Sequence, residues 1–367
     1  MKSYNHLWEK FISKETIRRC IIKGAIGKKK RKSVKRVMEN IDEYVDVIHD
    51  YALNFHNCDH EEIKILDGNS GKERLIIVPR FKEHVIHHMV VDTMMPILVK
   101  GMYKHTYSSI PGRGLHKCMK KLKAWIRKDP KNVKYCLKLD IKKFFNSIDH
   151  DILMEKMRKT IHDKKFLKII EEIINASDNG IPLGFYTSHW FANWLLQPLD
   201  HYIKEVLKVK YYARYMDDMI LFGSNKRKLR KVKEKIAEFL KKLHLRLKEN
   251  WQLFRFDYIK HGEHKGRPLD FVGFKFYRDR ITLRKSIMLR LTRKAKKIEK
   301  KGKFTIYDAH QLMAWLGWID WTDTYNVYKK YVAPHINFRK CRKRISQYDK
   351  KQAQLIKLEQ QFLKEAA

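Results

Sequence analysis

Cysteine, acidic residues and long apolar stretches are what this chain has little of. Its 367 residues include five cysteines, Cys20, Cys58, Cys118, Cys136 and Cys341, with no Cys-x-x-Cys pair and no Cys/His spacing of a zinc site. That argues against a disulfide scaffold or a zinc module and fits inert thiols in a reducing cytoplasm. No apolar run is long enough to span a bilayer and no apolar leader opens the chain, so neither a membrane-spanning nor a secreted protein is expected. No repeat of solenoid period is visible. Asp plus Glu number 41 against 81 Lys plus Arg, a formal net charge of +40. Such a chain repels itself unless a polyanion neutralises it, and nucleic acid is the expected partner.

Helical periodicity opens the chain, with Val34, Val37, Met38, Ile41, Val45 and Ile48 on one face behind the basic run Lys28-Lys29-Lys30-Arg31-Lys32. That run is read as a phosphate contact as well as a solvated face. Residues 62–80 read as two strands around the turn formers Asp67-Gly68-Asn69-Ser70-Gly71, and helix resumes near residue 81. Tyr135 to Ile141 reads as a strand with Tyr135, Leu137 and Leu139 on one face and Asp140 on the other. Asp149 is a helix N-cap candidate for the stripe Leu153, Met157 and Ile161. After the break at Gly180-Ile181-Pro182-Leu183-Gly184, one helix is expected to bury Ala192, Leu195, Leu196, Leu199 and Ile203. A basic amphipathic helix should bury Leu229, Val232, Ile236, Leu240 and Leu243, and 271–276 reads as one strand. From Arg284 on the pattern is helical and basic. The stripe Trp315, Trp318, Trp321, Tyr325 and Tyr328 is expected in the core rather than as a stacking platform for bases. Strands interspersed with helices without strict alternation indicate an α+β fold.

The chemistry concentrates in Tyr212-Ala213-Arg214-Tyr215-Met216-Asp217-Asp218-Met219-Ile220-Leu221-Phe222, two adjacent carboxylates flanked by apolar residues. This suits a β-hairpin whose tight connection projects acid toward a cation, because burying uncompensated carboxylates is costly. Asp140 ends another strand 77 positions earlier. Neighbouring strands would bring the three acids together, and carboxylate-held divalent cations are the machinery of phosphoryl transfer.

At these residues the chain resembles the reverse transcriptases, block by block and in order. Lys138-Leu139-Asp140-Ile141-Lys142-Lys143-Phe144-Phe145-Asn146-Ser147-Ile148-Asp149 resembles the first catalytic block, Gly180 to His189 the second, and Tyr215-Met216-Asp217-Asp218 the third. Leu243-His244-Leu245-Arg246-Leu247-Lys248 is similar to the fourth and Leu269-Asp270-Phe271-Val272-Gly273-Phe274 to the primer-gripping fifth. Lys72-Glu73-Arg74-Leu75-Ile76 resembles the fingers strand, and Pro111-Gly112-Arg113-Gly114 has a counterpart upstream. The resemblance implies a right-hand polymerase: a basic N-terminal helical extension over 1–60, fingers and palm over 61–283, and a short basic helical thumb and tail over 284–367. It leaves no room for an RNase H domain or an intron-type endonuclease. It implies metal binding by Asp140, Asp217, Asp218 and the Ile141 carbonyl, with two Mg²⁺ ions that Mn²⁺ could replace. It implies dNTP contacts by Lys72, Arg74, Phe145, Leu183 and Gly184, with Phe145 crowding the sugar 2′ position. Lys248 is the candidate general acid, although Trp251-Gln252 stand where many relatives carry Lys-Thr.

Within the family, Leu183 where many members carry Gln, followed by Gly-x-x-x-Ser, resembles the enzymes of diversity-generating retroelements, as does the run Trp315 to Asn326. His189 departs from that subfamily, which usually has Gln after the Ser. The resemblance implies error-prone cDNA synthesis on a template-repeat RNA, dNTPs as substrate, and a small basic accessory protein oligomer as partner. It also implies a cytoplasmic, prokaryotic or phage-encoded enzyme with no membrane contact. The alternatives are a retron, defence-associated or group II intron-type enzyme and, more remotely, an inactive basic RNA-binding protein.

Overall fold

The computed structural model describes residues 4–57, 60–66, 73–303 and 305–365, with side chains left undescribed at 352 and from 355 on. The chain divides into two compact units, Met1–Cys118 with Asp129–Arg255, and Met119–Lys128 with Phe256–Ala367.

In the first unit, the N-terminal stretch folds into four short helices, α1 (Leu7–Ile12), α2 (Lys14–Ala25), α3 (Lys32–Glu39) and α4 (Ile41–Leu53). Ser13 caps α2 by accepting the Thr16 N–H at 3.3 Å. The single helical stretch expected over 34–48 is two helices. Asn40, at φ −122° and ψ 47°, leaves helical geometry between them, while Val34, Val37, Val45 and Ile48 are all buried. Strands β1 (Glu61–Leu66) and β2 (Glu73–Val78) form an antiparallel pair with Ile63 opposite Ile76. Helix α5 (Phe81–Val99) buries Val85, Ile86, Met89, Val90, Met94 and Leu98 completely. A helix apolar all round belongs inside, and α5 packs on α2 and on the later helix over Tyr186–Leu195.

The palm-like element is a five-stranded sheet in the order β3-β5-β6-β4-β7. Its strands are β3 (Thr106–Tyr107), β4 (Tyr135–Leu139), β5 (Tyr211–Tyr215), β6 (Asp218–Gly223) and β7 (Gln252–Arg255). The connections are α6 (Leu115–Lys128), α7 (His150–Arg158), α8 (Lys164–Ile174), α9 (Tyr186–Leu195), α10 (Gln197–His201) and α11 (Lys226–Lys241). Asp149 caps α7 as expected, accepting the Ile152 N–H at 3.0 Å. The helix expected over 192–203 is interrupted, because Pro198 starts α10 as a new helix and Tyr202–Val206 is wound as a wider, π-type turn. Ala192, Leu195, Leu196, Leu199 and Ile203 are nonetheless buried together. In α11, Leu229, Val232, Ile236 and Leu240 face inward as the spacing requires.

The second unit holds β8 (Tyr258–Lys260), β9 (Glu263–Lys265), β10 (Leu269–Phe271), β11 (Phe274–Phe276) and β12 (Ile281–Leu283). Helices α12 (Lys285–Lys300), α13 (Ile306–Ile319), α14 (Tyr325–Tyr331) and α15 (Phe338–Glu365) follow. The strand expected over 271–276 is a hairpin: Phe271 pairs with Phe274, and the chain reverses at Val272 (φ 45°) and Gly273 (φ 88°). Two consecutive positive φ angles match the twist of a two-residue hairpin. The aromatic stripe expected in the core is split. Trp318 stacks on Phe274 with ring centroids 5.2 Å apart, but Trp321 and Tyr325 are 40% and 63% exposed. Helix α13 ends at Ile319, so its periodicity does not carry over to the later residues.

A branched residue in left-handed geometry is strained by about 1–2 kcal/mol. Val272→Asn is therefore expected to raise the stability of the full chain by about 1 kcal/mol, measured by chemical denaturation.

Candidate active site

Two short connections in the central sheet place the acids. Strand β4 runs antiparallel to β6 with Leu139 opposite Met219, so Asp140, one residue beyond β4, comes level with Asp218. The hairpin β5–β6 closes with Tyr215 opposite Asp218, which leaves Met216 and Asp217 as the turn. Met216 takes φ 56° and is buried, while Asp217 and Asp218 are half-buried. Burial pushes the Asp217 carboxyl up to about 7, helped by the charges of Asp218 and then Asp140. The structure thus brings together the three acids that the sequence singled out.

Lys248 also arrives here. Ile141 bridges Leu247, with Lys142 donating its N–H to the Arg246 carbonyl and Lys248 to the Asp140 carbonyl, each at 2.8 Å. These two bonds flank Ile141 and leave its carbonyl out of the ladder. The Lys248 ammonium donates to Asp140 Oδ2, while Asp140 Oδ1 is buried without a hydrogen-bond partner. An orphaned carboxylate oxygen beside two further mutually repelling acids is a donor set suited to a divalent cation. The residues present therefore fit the metal that the sequence implies. The three acids do not all lie within 4.8 Å of one another, as expected of repelling carboxylates with an ammonium on one of them; among the described residues that spacing is met by Asp257, His264 and Asp279 in the second unit. There, Arg280 already donates to Asp279 at 3.0 Å and lies 2.7 Å from His264 Nε2, so the group is a neutralised ion-pair cluster.

The second block is held against the first and against the fingers strand. The Ile181 N–H donates to the Phe145 carbonyl at 2.9 Å, and His150 Nε2 lies 2.5 Å from the Gly180 carbonyl. The Ile77 N–H donates to the Leu183 carbonyl at 2.8 Å. Gly184 sits at φ 116°, where a Cβ would lie 2.1 Å from the Ile77 carbonyl oxygen, so only glycine allows this approach. Phe145 is half-buried and meets the His189 ring edge-on at 5.1 Å. Burial holds His189 below the ordinary imidazole range, and its Nδ1 has no partner. Arg74 stands on the exposed strand β2 opposite Ile65, and Lys72 lies outside the described residues. Sequence reading passed over Arg214 and Asp200, which are wholly buried next to the hairpin. The available signal was a charged residue inside each of two apolar runs.

The family described as reverse transcriptase (RNA-dependent DNA polymerase) matches residues 65–276, more than half of the chain and all of the blocks just described. The chain belongs to the reverse transcriptase family. Its relatives include the retron Ec73 reverse transcriptase of Escherichia coli, 30% identical over 164 residues, or 41% of this chain and 49% of that one. An uncharacterised 91 kDa protein in a cob intron of Schizosaccharomyces pombe is 26% identical over 159 residues, 39% of this chain and 18% of that one. The chain therefore spans about half of the retron enzyme and less than a fifth of the intron protein. Among solved structures, apo telomerase from Candida tropicalis, truncated from its C-terminal domain, aligns with a TM-score of 0.46 at 17% identity, covering 63% of this chain and 55% of that one. Family membership makes the five-stranded sheet the palm and β5–β6 its YMDD hairpin, within an α+β fold. Among the described residues, no helix is long and apolar enough to cross a membrane.

A carboxyl whose folded pKa near 7 exceeds its ordinary value of about 4 contributes stability that is fully present below about pH 4 and is lost progressively as pH rises from there through 7. In the metal-free protein at pH 8, Asp217→Asn should therefore raise stability by on the order of 1 kcal/mol, and the gain should fade toward pH 5. Adding Mg²⁺ or Mn²⁺ should stabilise the unaltered chain more than the variant. Thermal melts across pH with and without metal check both outcomes.

Proposed function

We propose that the chain is an RNA-templated DNA polymerase whose active site is Asp140, Asp217 and Asp218. The observation that carries this reading is the burial and mutual repulsion of these acids at the ends of β4 and the β5–β6 hairpin. Two divalent cations, Mg²⁺ with Mn²⁺ as substitute, would be held by the three carboxylates and the Ile141 carbonyl, and when bound they would neutralise the triphosphate and the attacking 3′ oxygen. Asp217 has to lose its proton before it can serve. Lys248 orients Asp140 through its ammonium and is the candidate proton donor to the leaving group. Lys72 and Arg74 neutralise the triphosphate from the fingers. Gly184 lets the second block pack directly on the Ile77 backbone, which sets its loop as a dNTP contact, and the Phe145 ring, backed by His189, would crowd the position of a ribose 2′ hydroxyl. RNA template, cDNA product and dNTPs are the partners this chemistry requires.

The finer reading is error-prone copying of a template-repeat RNA, as in diversity-generating retroelements, with a small basic accessory protein oligomer. It rests on Leu183, which offers no side-chain hydrogen bond where many family members have Gln, and on the run from Trp315 to Asn326. A retron or group II intron-type role is the alternative, favoured by the 30% identity to the retron Ec73 enzyme. Sequencing cDNA made by the purified protein on its native flanking RNA separates the two: errors concentrated opposite template adenine support the first, and a uniform low-error spectrum supports the second.

Asp217→Asn is expected to abolish dNTP incorporation with either metal while leaving RNA binding intact, and retained synthesis would overturn the assignment. Leu183→Gln should lower misincorporation opposite adenine more than opposite other bases. An unchanged error spectrum removes Leu183 from the account of fidelity.

A further inference from the structure

The YMDD turn is built on a strained residue. Met216 is not glycine, yet it holds φ 56°, and the segment beside it, Ser108 and Ser109, is also left-handed at φ 81° and 54°. Such geometry persists only where the surroundings over-determine it. Here both backbone polar groups of Met216 are taken. Its N–H donates to the Tyr107 carbonyl at 3.4 Å, and its carbonyl accepts from the Arg214 guanidinium at 3.0 Å.

Arg214 is 0% exposed, as are Asp200, Asn193, Tyr212 and Thr106 around it. The guanidinium is saturated. Nε donates to Asp200 Oδ1 at 2.8 Å and one terminal nitrogen to Asp200 Oδ2 at 2.6 Å, so the ion pair is bidentate. The other terminal nitrogen donates to Asn193 Oδ1 at 2.9 Å as well as to Met216. The Asp200 carboxylate also accepts from the Tyr212 hydroxyl at 2.6 Å and from Thr106 Oγ1 at 3.0 Å. Asn193 Nδ2 in turn donates to the Ser108 carbonyl at 3.1 Å. One closed network therefore ties both strained segments to α9 and α10.

We infer that Arg214 and Asp200 are positioning residues that hold the Met216–Asp217 turn in its metal-binding geometry before any metal arrives, through the guanidinium bond to the Met216 carbonyl. The inference rests on the proposed metal-dependent polymerase reading. A buried ion pair is often no more stabilising than a well-packed apolar pair of similar volume, but losing one partner strands the other charge. Asp200 lies on α10, and a pair needed only to fill space there would require no bond to the turn. The guanidinium instead gives one of its donors to the carbonyl that precedes Asp217, which charge neutralisation of Asp200 alone does not demand.

The test compares the full chain with Arg214→Lys, which retains the charge for Asp200 but not the planar fork, and with Arg214→Met combined with Asp200→Leu, which removes both charges together. Mn²⁺ affinity is read by electron paramagnetic resonance of free Mn²⁺, and kcat and KM for dNTP are read separately on an RNA template. Folded variants, judged by circular dichroism, should bind Mn²⁺ at least tenfold more weakly and lose at least tenfold in kcat, with KM changed less than threefold and Arg214→Lys the milder of the two. A folded variant with unaltered Mn²⁺ affinity and kcat overturns the inference. The unaltered protein supplies a second reading that needs no variant to fold. Residue-resolved hydrogen exchange of the Met216 amide should be slow in the absence of metal, and rapid exchange that slows only on adding Mn²⁺ overturns a preformed turn. Failure of the unaltered chain to bind Mn²⁺ or to polymerise would refute the metal-dependent reading itself, whatever Arg214 does.

Discussion

Repulsion between carboxylates governs this molecule. Asp140, Asp217 and Asp218 are gathered at one end of the central sheet by register alone, since Leu139 faces Met219 across β4–β6 and Tyr215 faces Asp218 across the hairpin. Nothing in strand pairing offsets the cost of three neighbouring negative charges. The protein meets that cost in two ways: the Lys248 ammonium sits on Asp140, and Asp217 is pushed toward its protonated form. Both are provisional solutions to a charge imbalance that divalent cations would resolve more completely. A site that is least comfortable when empty is a site prepared for a ligand.

The same logic holds at the scale of the whole chain, with the sign reversed. A net charge of +40 favours dispersal of like charge, and under the proposed function a nucleic-acid backbone would be the compensating polyanion. The acids are thus a small negative centre inside a strongly positive body. The basic accessory protein of the proposed retroelement reading would be repelled by such a charge, so its association would depend on RNA held between the two polycations.

The candidate site could be proposed from sequence because each of its blocks is short and contiguous. The blocks around Asp140, Leu183 and Asp217 each carry their chemistry within about ten positions, and Asp149 announced its helix cap by residue type. Elements that depend on distant partners or on unusual dihedrals were not readable. Val272 gives no sign that it turns left-handed, because the hairpin imposes that angle on a residue type that resists it. Asn40 divides a stripe whose apolar periodicity continues across the break. Trp321 and Tyr325 keep helical spacing in sequence although α13 ends before them. The pairing of Arg214 with Asp200 spans two elements and becomes apparent only when both side chains are seen to be buried.

That pairing also explains why the hairpin can do without glycine at its first turn position. Glycine there would adopt a positive φ freely, but it would also let the turn sample many other geometries. Met216 fills the interior with an apolar side chain and accepts a strained angle, and the bond from Arg214 together with the bond to Tyr107 keeps it there. Strain held by a saturated buried network is a stiffer arrangement than freedom. Under the proposed metal-dependent function, such stiffness would limit the reorganisation needed when hard cations bind the carboxylates. The fold has thus placed a wholly buried charge pair next to the turn that carries the proposed metal-binding acids.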